Sequence, residues 1–183
     1  MSLAWRDLPF GPALRQPDQR SCGPSCLVVA RMVLEPAYAE EVRPRFDAEV
    51  LATHRGATGA RDARGAIQMP WPRALGTPPW AVAREMSSIT GTPCAWRLAR
   101  WGREAAYERV VAGVRDGHPV PVYVGSRWLP RHVVLALEAD AEVIEVYDPA
   151  RGTPRTVARA AFGRGEMGVG SWDQPWFVVS PPR

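Results

Sequence analysis

The chain has no lysine, no asparagine, only three cysteines and only three histidines in 183 residues. Every one of its 23 basic side chains is therefore arginine. So complete a replacement points to a GC-rich coding sequence, not to a surface selected for nucleic acid. The arginines are scattered among 19 acidic residues, for a net charge of +4. No basic run with interleaved aromatics is present to track a phosphate backbone. The cysteines, at 22, 26 and 94, are too few and too unevenly spaced for a disulfide framework. They fit a reducing compartment or a free reactive thiol. No hydrophobic run reaches membrane length, and no N-terminal segment reads as a signal peptide. The expectation is a cytoplasmic protein with no membrane and no nucleic-acid partner, although an effector exported by a dedicated machine would share these traits.

What is present begins with Gln16-Pro-Asp-Gln-Arg-Ser-Cys22-Gly-Pro-Ser-Cys26, followed by the apolar stretch from Leu27 to Leu34. This reads as a cysteine at the start of a core-facing helix. A helix N-terminus offers unpaired N–H groups and a partial positive charge, both of which favour a thiolate. Pro24 suits a first turn, where an N–H is not needed. Cys22 is thus a candidate nucleophile, and its base must be one of three histidines.

His54 lies in the loop-like Thr-His-Arg-Gly, and His118 in a turn before the strand-like Val120–Val124. His132 opens His132-Val-Val-Leu-Ala-Leu-Glu138, which reads as a buried strand. After Ala-Asp140-Ala comes a second apolar run, from Glu142 to Tyr147, and then Asp148-Pro149. Two such runs across a short polar break predict a β-hairpin. With the turn centred on Asp140, His132 and Asp148 are directly opposed on one face, their Cβ atoms about 5 Å apart. That is a base beside a carboxylate able to orient it. His118, the alternative base, has no Asp or Asn at hairpin distance.

Taken together, these residues resemble the papain-like cysteine peptidase superfamily. The nearest pattern within it is that of the bacterial peptidases that cleave double-glycine leaders, with their stand-alone relatives. The resemblance implies Cys22 as nucleophile, His132 as general base and Asp148 as its orienting partner. Gln16, six residues before Cys22, would place a side-chain N–H in the oxyanion hole beside the backbone N–H of Cys22; Gln19 is its rival at shorter spacing. The implied chemistry needs no metal and no cofactor. The string Cys-Gly-Pro-Ser-Cys departs from the Cys-Gly-Ser-Cys-Trp of the plant and lysosomal enzymes. No ATP-binding or membrane segment follows, so a full leader-processing transporter is not expected.

Competing readings attach to the same residues. Cys26 is expected to pack inward and Cys94 to be structural. A redox dithiol uses two intervening residues where this chain has three, and no second ligand pair stands at zinc-like spacing. The same triad attacking a side-chain carboxamide would make a glutamine deamidase or transglutaminase, and a scaffold with its catalysis lost would be a binding module. The expected partner is a peptide or protein substrate.

The whole chain, 1–183, is expected to form one α+β domain, with a helical half before a C-terminal antiparallel sheet. Helices are expected from Cys22 to Leu34, from Ala37 to Thr53 with an interruption at Arg43-Pro44, from a Thr77 N-cap to Thr90, and from Gly102 to Asp116. An irregular stretch spans His54 to Pro79. Strands are expected at Cys94–Leu98, Val120–Val124, His132–Glu138, Val143–Tyr147, Arg155–Val157 and Trp176–Val179. Trp71, Trp80, Trp128 and Trp172 fall at element edges, where they would be able to line a groove.

Overall fold

The structure, a computed structural model, describes residues 4–62 and 65–182. Helix α1 runs Cys22–Leu34, and its residues from Cys22 to Ala30 are buried without interruption. A helix buried on every side belongs to the interior. It stops at Glu35, which the following proline holds extended at φ −127° and ψ 90°. Helix α2, Pro36–Val42, begins on that proline. Pro44 then imposes one 3-10 turn, Arg43–Arg45, before helix α3, Phe46–Thr58.

Two expectations change here. Helix α3 runs past Thr53, so His54 is helical and buried, not in a loop. His54, Ala57 and Thr58 continue the buried stripe that begins at Phe46 and Val50, and this packing carries the helix through Gly56. The irregular stretch therefore starts only after Thr58, and its residues 63 and 64 lie outside the described residues. Helix α4, Pro79–Thr90, is not capped by Thr77. Pro78 keeps the chain extended at ψ 153°, which takes the Thr77 hydroxyl out of reach of the helix N–H groups; that hydroxyl is buried without a partner.

The sheet has six strands in the order β1-β6-β2-β3-β4-β5. They are β1 (Ala95–Leu98), β2 (Val120–Gly125), β3 (Pro130–Ala139), β4 (Val143–Asp148), β5 (Thr153–Ala158) and β6 (Gln174–Ser180). Every pairing is antiparallel. Helix α5, Arg103–Arg115, lies between β1 and β2 in the chain, and the short α6, Arg159–Arg164, was not anticipated.

Strand β3 explains the layering. Side chains alternate between faces, and Val133, Leu135 and Leu137 join the core shared with α1. Val134 and Ala136 join a second core with Tyr107 and Val110 of α5 and Phe162 of α6. An unbroken apolar run is what a strand covered on both faces requires.

The β3–β4 register differs from the symmetric hairpin expected about Asp140. Asp140 Oδ1 accepts hydrogen bonds from the backbone N–H groups of Glu142 (2.7 Å) and Val143 (2.8 Å), which moves the turn toward Glu142. The observed pairs are Glu138 with Glu145, then, beyond a bulge, Ala136 with Val146 and Leu135 with Tyr147. Continued one step, this sets Asp148 across from Val134, so His132 and Asp148 are diagonal rather than opposite. The slip from the expected register is two residues, an even number, and both side chains stay on one face.

A second irregularity positions His132. At the β2–β3 turn, a Cβ on Gly125 would lie 2.1 Å from Leu129 O and 2.7 Å from Pro130 Cα, both rigid backbone. Gly125→Ala is expected to destabilise by about 1–3 kcal/mol through overpacking, visible as a Tm lowered by several degrees. A wild-type melting curve would show that the turn tolerates the methyl group.

Candidate active site

Cys22 is the first residue of α1 and is 7% exposed. The loop before it is fixed by its own polar groups. Arg20 N–H donates to Asp18 Oδ1 at 2.8 Å, Ser21 Oγ to Asp18 O at 3.2 Å, and Ser25 N–H to Ser21 O at 2.9 Å. One turn on, Cys26 Sγ lies 3.5 Å from Val133 O, which ties the first turn of α1 to the start of β3. Burial pushes the Cys26 thiol well up, with the charges of Cys22 and Asp148 adding to it. It is a core residue, as its helical position implied.

His132, on β3, has Cys22 as a neighbour that acts on its ring. Its Nε2 lies 2.7 Å from Asp148 Oδ1. With Nε2 committed to the carboxylate, Nδ1 is the ring nitrogen left for the thiol. Both members of the His–Asp pair are buried, and Asp148, at 1% exposure, is sealed from water. Burial alone would lower the imidazole pKa. The bond to Asp148 and the neighbouring Cys22 thiol, with the charges of both, outweigh it and raise the value to about 9. Asp148 moves the other way. Burial favours its neutral form, but the bond and charge of His132, the Ala150 N–H and the charge of Arg155 hold its carboxyl below the usual range. Its Oδ1 also accepts from Ala150 N–H at 3.1 Å, so the turn after β4 fixes the carboxylate.

Gln16 reaches this neighbourhood through its backbone. Its N–H donates to Pro149 O at 2.8 Å, one residue beyond Asp148. Its side chain folds onto its own loop, with Nε2 donating to Asp18 O at 2.6 Å, and Oε1 is buried without a partner. Gln19 is exposed. The structure thus joins His132 to Asp148 by a direct hydrogen bond with Cys22 beside the ring, and holds Gln16 beside their turn, not in contact through its amide.

The other candidates lie elsewhere. His118 precedes the start of β2, whereas His132 pairs with Val124 at the strand's far end. Burial lowers the pKa of His54, against the opposing influence of the Gly76 backbone and the charge of Asp18. Cys94 is half-buried, its thiol directed to Thr92 O. Trp71 and Trp80 pack edge-to-face with centroids 5.1 Å apart, Trp172 packs on the α5 side of the sheet, and Trp128 is exposed beneath the Arg127 guanidinium. Among the described residues, no group of three or more His, Cys, Asp or Glu side chains is gathered to hold a metal ion. None of the described helices is long and apolar enough to cross a membrane.

Sequence reasoning missed Tyr147, Gly152 and Tyr123. Tyr147 hydroxyl donates to Leu14 O, and Tyr123 hydroxyl donates to Thr77 O at 2.8 Å. Tyr147 directly precedes Asp148 in the chain; for Tyr123, only its place in a buried strand was a signal.

No protein-family model matches the chain, and no curated protein matches it. Solved structures do. A Bacillus anthracis protein described as a C39-like peptidase aligns with 100% of this chain and 98% of its own, at a TM-score of 0.53 and 14% identity. The peptidase domain of Streptococcus ComA, a bi-functional ABC transporter of a quorum-sensing pathway, aligns with 92% of this chain and 96% of its own (TM-score 0.48, 13% identity). A double-glycine-motif protease from an AMS/PCAT transporter, solved with its leader peptide, aligns over 100% and 99% (TM-score 0.48, 13% identity). The likeness to the Bacillus protein shows the fold: this chain has the α+β, papain-like fold of a C39-like peptidase.

Proposed function

We propose that the protein is a cysteine peptidase that hydrolyses a peptide amide through a thioester on Cys22. The observation that carries this reading is one imidazole, His132, bonded to a buried carboxylate through Nε2 and neighboured by a cysteine at a helix N-terminus. His132 takes the thiol proton at Nδ1, and the thiolate attacks the substrate carbonyl. The tetrahedral oxyanion is held by the backbone N–H of Cys22 and by the second N–H of the Gln16 amide. The imidazolium returns its proton to the leaving amine, which departs as a new amino terminus. Water, deprotonated by His132, then cleaves the thioester, releases the carboxylate product and restores the thiol. Asp148 keeps the ring oriented and stabilises its charged form.

The test is mass spectrometry of a peptide-library digest with parallel measurement of ammonia. New amino termini support the peptidase. Ammonia without new termini would replace it with the carboxamide chemistry of a deamidase or transglutaminase, and neither product would leave a binding module on the same scaffold.

The raised His132 pKa fixes one limb of the pH profile. The ring must be protonated to release the amine, so kcat/KM is expected to fall as pH rises through about 9. A rate still climbing past that point would show that His132 is not the acid.

A further inference from the structure

The segment that carries Gln16 is laced to the turn that carries Asp148. Gly11 N–H donates to Gly152 O at 2.7 Å, Gln16 N–H donates to Pro149 O at 2.8 Å, and between them the Tyr147 hydroxyl donates to Leu14 O. The turn is closed on Asp148 itself, whose carbonyl accepts from Arg151 N–H at 3.1 Å and Gly152 N–H at 2.8 Å. Gly152 has φ +74°, a conformation L side chains rarely adopt. A Cβ there would lie 2.1 Å from Gly11 O and 2.9 Å from Arg15 N, so only glycine lets the two backbones meet. One five-residue turn therefore does two tasks. It aims Asp148 Oδ1 at His132 and seats the arm that bears Gln16.

We infer that Gly152 is a positioning residue for the oxyanion arm, acting through Gln16. This rests on the peptidase reading above. Widening the contact between Gly11 and Gly152 would withdraw Gln16 from the reacting carbonyl while Cys22 and His132 stay paired.

Two small reagents separate these functions without a known substrate. Iodoacetamide alkylates a thiolate by direct displacement of iodide, with no oxyanion. p-Nitrophenyl acetate acylates it through a tetrahedral oxyanion, which collapses by expelling p-nitrophenolate. Both rates would be measured at Cys22 in a Cys94→Ser background, which removes the half-buried thiol. Gly152→Ala is expected to lower the acylation rate about 10²–10³-fold, the usual cost of one oxyanion donor, with a much smaller loss of alkylation from the strain it passes to Asp148. Gln16→Ala should lower acylation as far, and the double variant should fall no further.

If Gly152→Ala does not fold, Tyr147→Phe keeps the ring and removes only the hydroxyl on Leu14. It should lower acylation several-fold at constant alkylation. Additive losses in the double variant, parallel losses of both rates, or wild-type acylation in Tyr147→Phe where Gly152→Ala cannot be measured would each overturn the inference. Failure of the nucleophile on which the peptidase reading rests looks different: the wild-type protein itself would not be labelled at Cys22 by either reagent.

Discussion

Cys22→Ala is expected to abolish turnover with the melting transition retained, and His132→Ala to slow alkylation of Cys22 at pH 6 by about 10²–10⁴-fold, the range for losing a positioned acid–base group. An ordinary thiol is almost wholly protonated at pH 6. Fast labelling there requires a neighbour that takes the proton and keeps it, and an imidazole with a pKa of about 9 does both. The other two cysteines serve as internal controls. Burial pushes the thiols of Cys26 and Cys94 up, the latter against weaker opposing bonds from Thr90 and Ser87. Mapping the label by mass spectrometry should therefore find it at Cys22, and should lose it in the histidine variant. Equal labelling of wild type and His132→Ala, or labelling fastest at Cys26 or Cys94, would remove the basis for an activated nucleophile.

The sequence makes the helical cysteine and the His–Asp pair legible for different reasons. Helix α1 starts where expected because a proline-tolerant first turn and a continuous apolar run both demand it. The pairing of His132 with Asp148 follows from parity alone. Asp140 draws the turn three residues off the symmetric register, the bulge between Ala136 and Glu138 takes one back, and the even slip of two that remains leaves both side chains on one face. An odd slip would have put the imidazole and the carboxylate on opposite faces, and nothing in the apolar pattern would have announced it.

What sequence could not supply is long-range backbone contact. The bond from Gly11 to Gly152 joins residues far apart in the chain, and neither glycine differs locally from those in ordinary turns. Thr77 fails as a cap because two consecutive prolines extend the chain beyond it, an effect of residues that follow the expected cap rather than of the cap itself. Helix α3 outruns its expected end because His54 and Thr58 find burial against neighbours that no local pattern describes.

Asp148→Ala and Asp148→Asn should separate orientation from charge. The asparagine keeps an Oδ1 that can accept from His132 and from Ala150 N–H, the two bonds seen in the structure. Since the paired imidazole is protonated below about pH 9, both ring nitrogens carry hydrogens and no wrong tautomer is selected. Asp148→Asn should therefore retain much of the rate at pH 6. It lacks the charge that favours imidazolium, so its alkaline limb should move down by about 1–3 pH units, the usual effect of one close opposite charge.

Asp148→Ala loses both bonds and should lose about 10²–10⁴ in rate at every pH. Stability follows the same groups. The raised pKa of His132 means that the contribution from its charged form is fully present below its ordinary value of 6.5 and fades as pH rises toward 9. The lowered pKa of Asp148 means that its contribution is present above its ordinary 3.8 and is lost as pH falls through the folded value. Removing one partner of a buried ion pair costs about 3–5 kcal/mol. The destabilisation by Asp148→Ala should thus be greatest between roughly pH 4 and 6.5, and should shrink as His132 discharges near pH 9. Denaturant melts across that range decide the matter, because a penalty independent of pH would mean that Asp148 supports the turn and not the charge on His132.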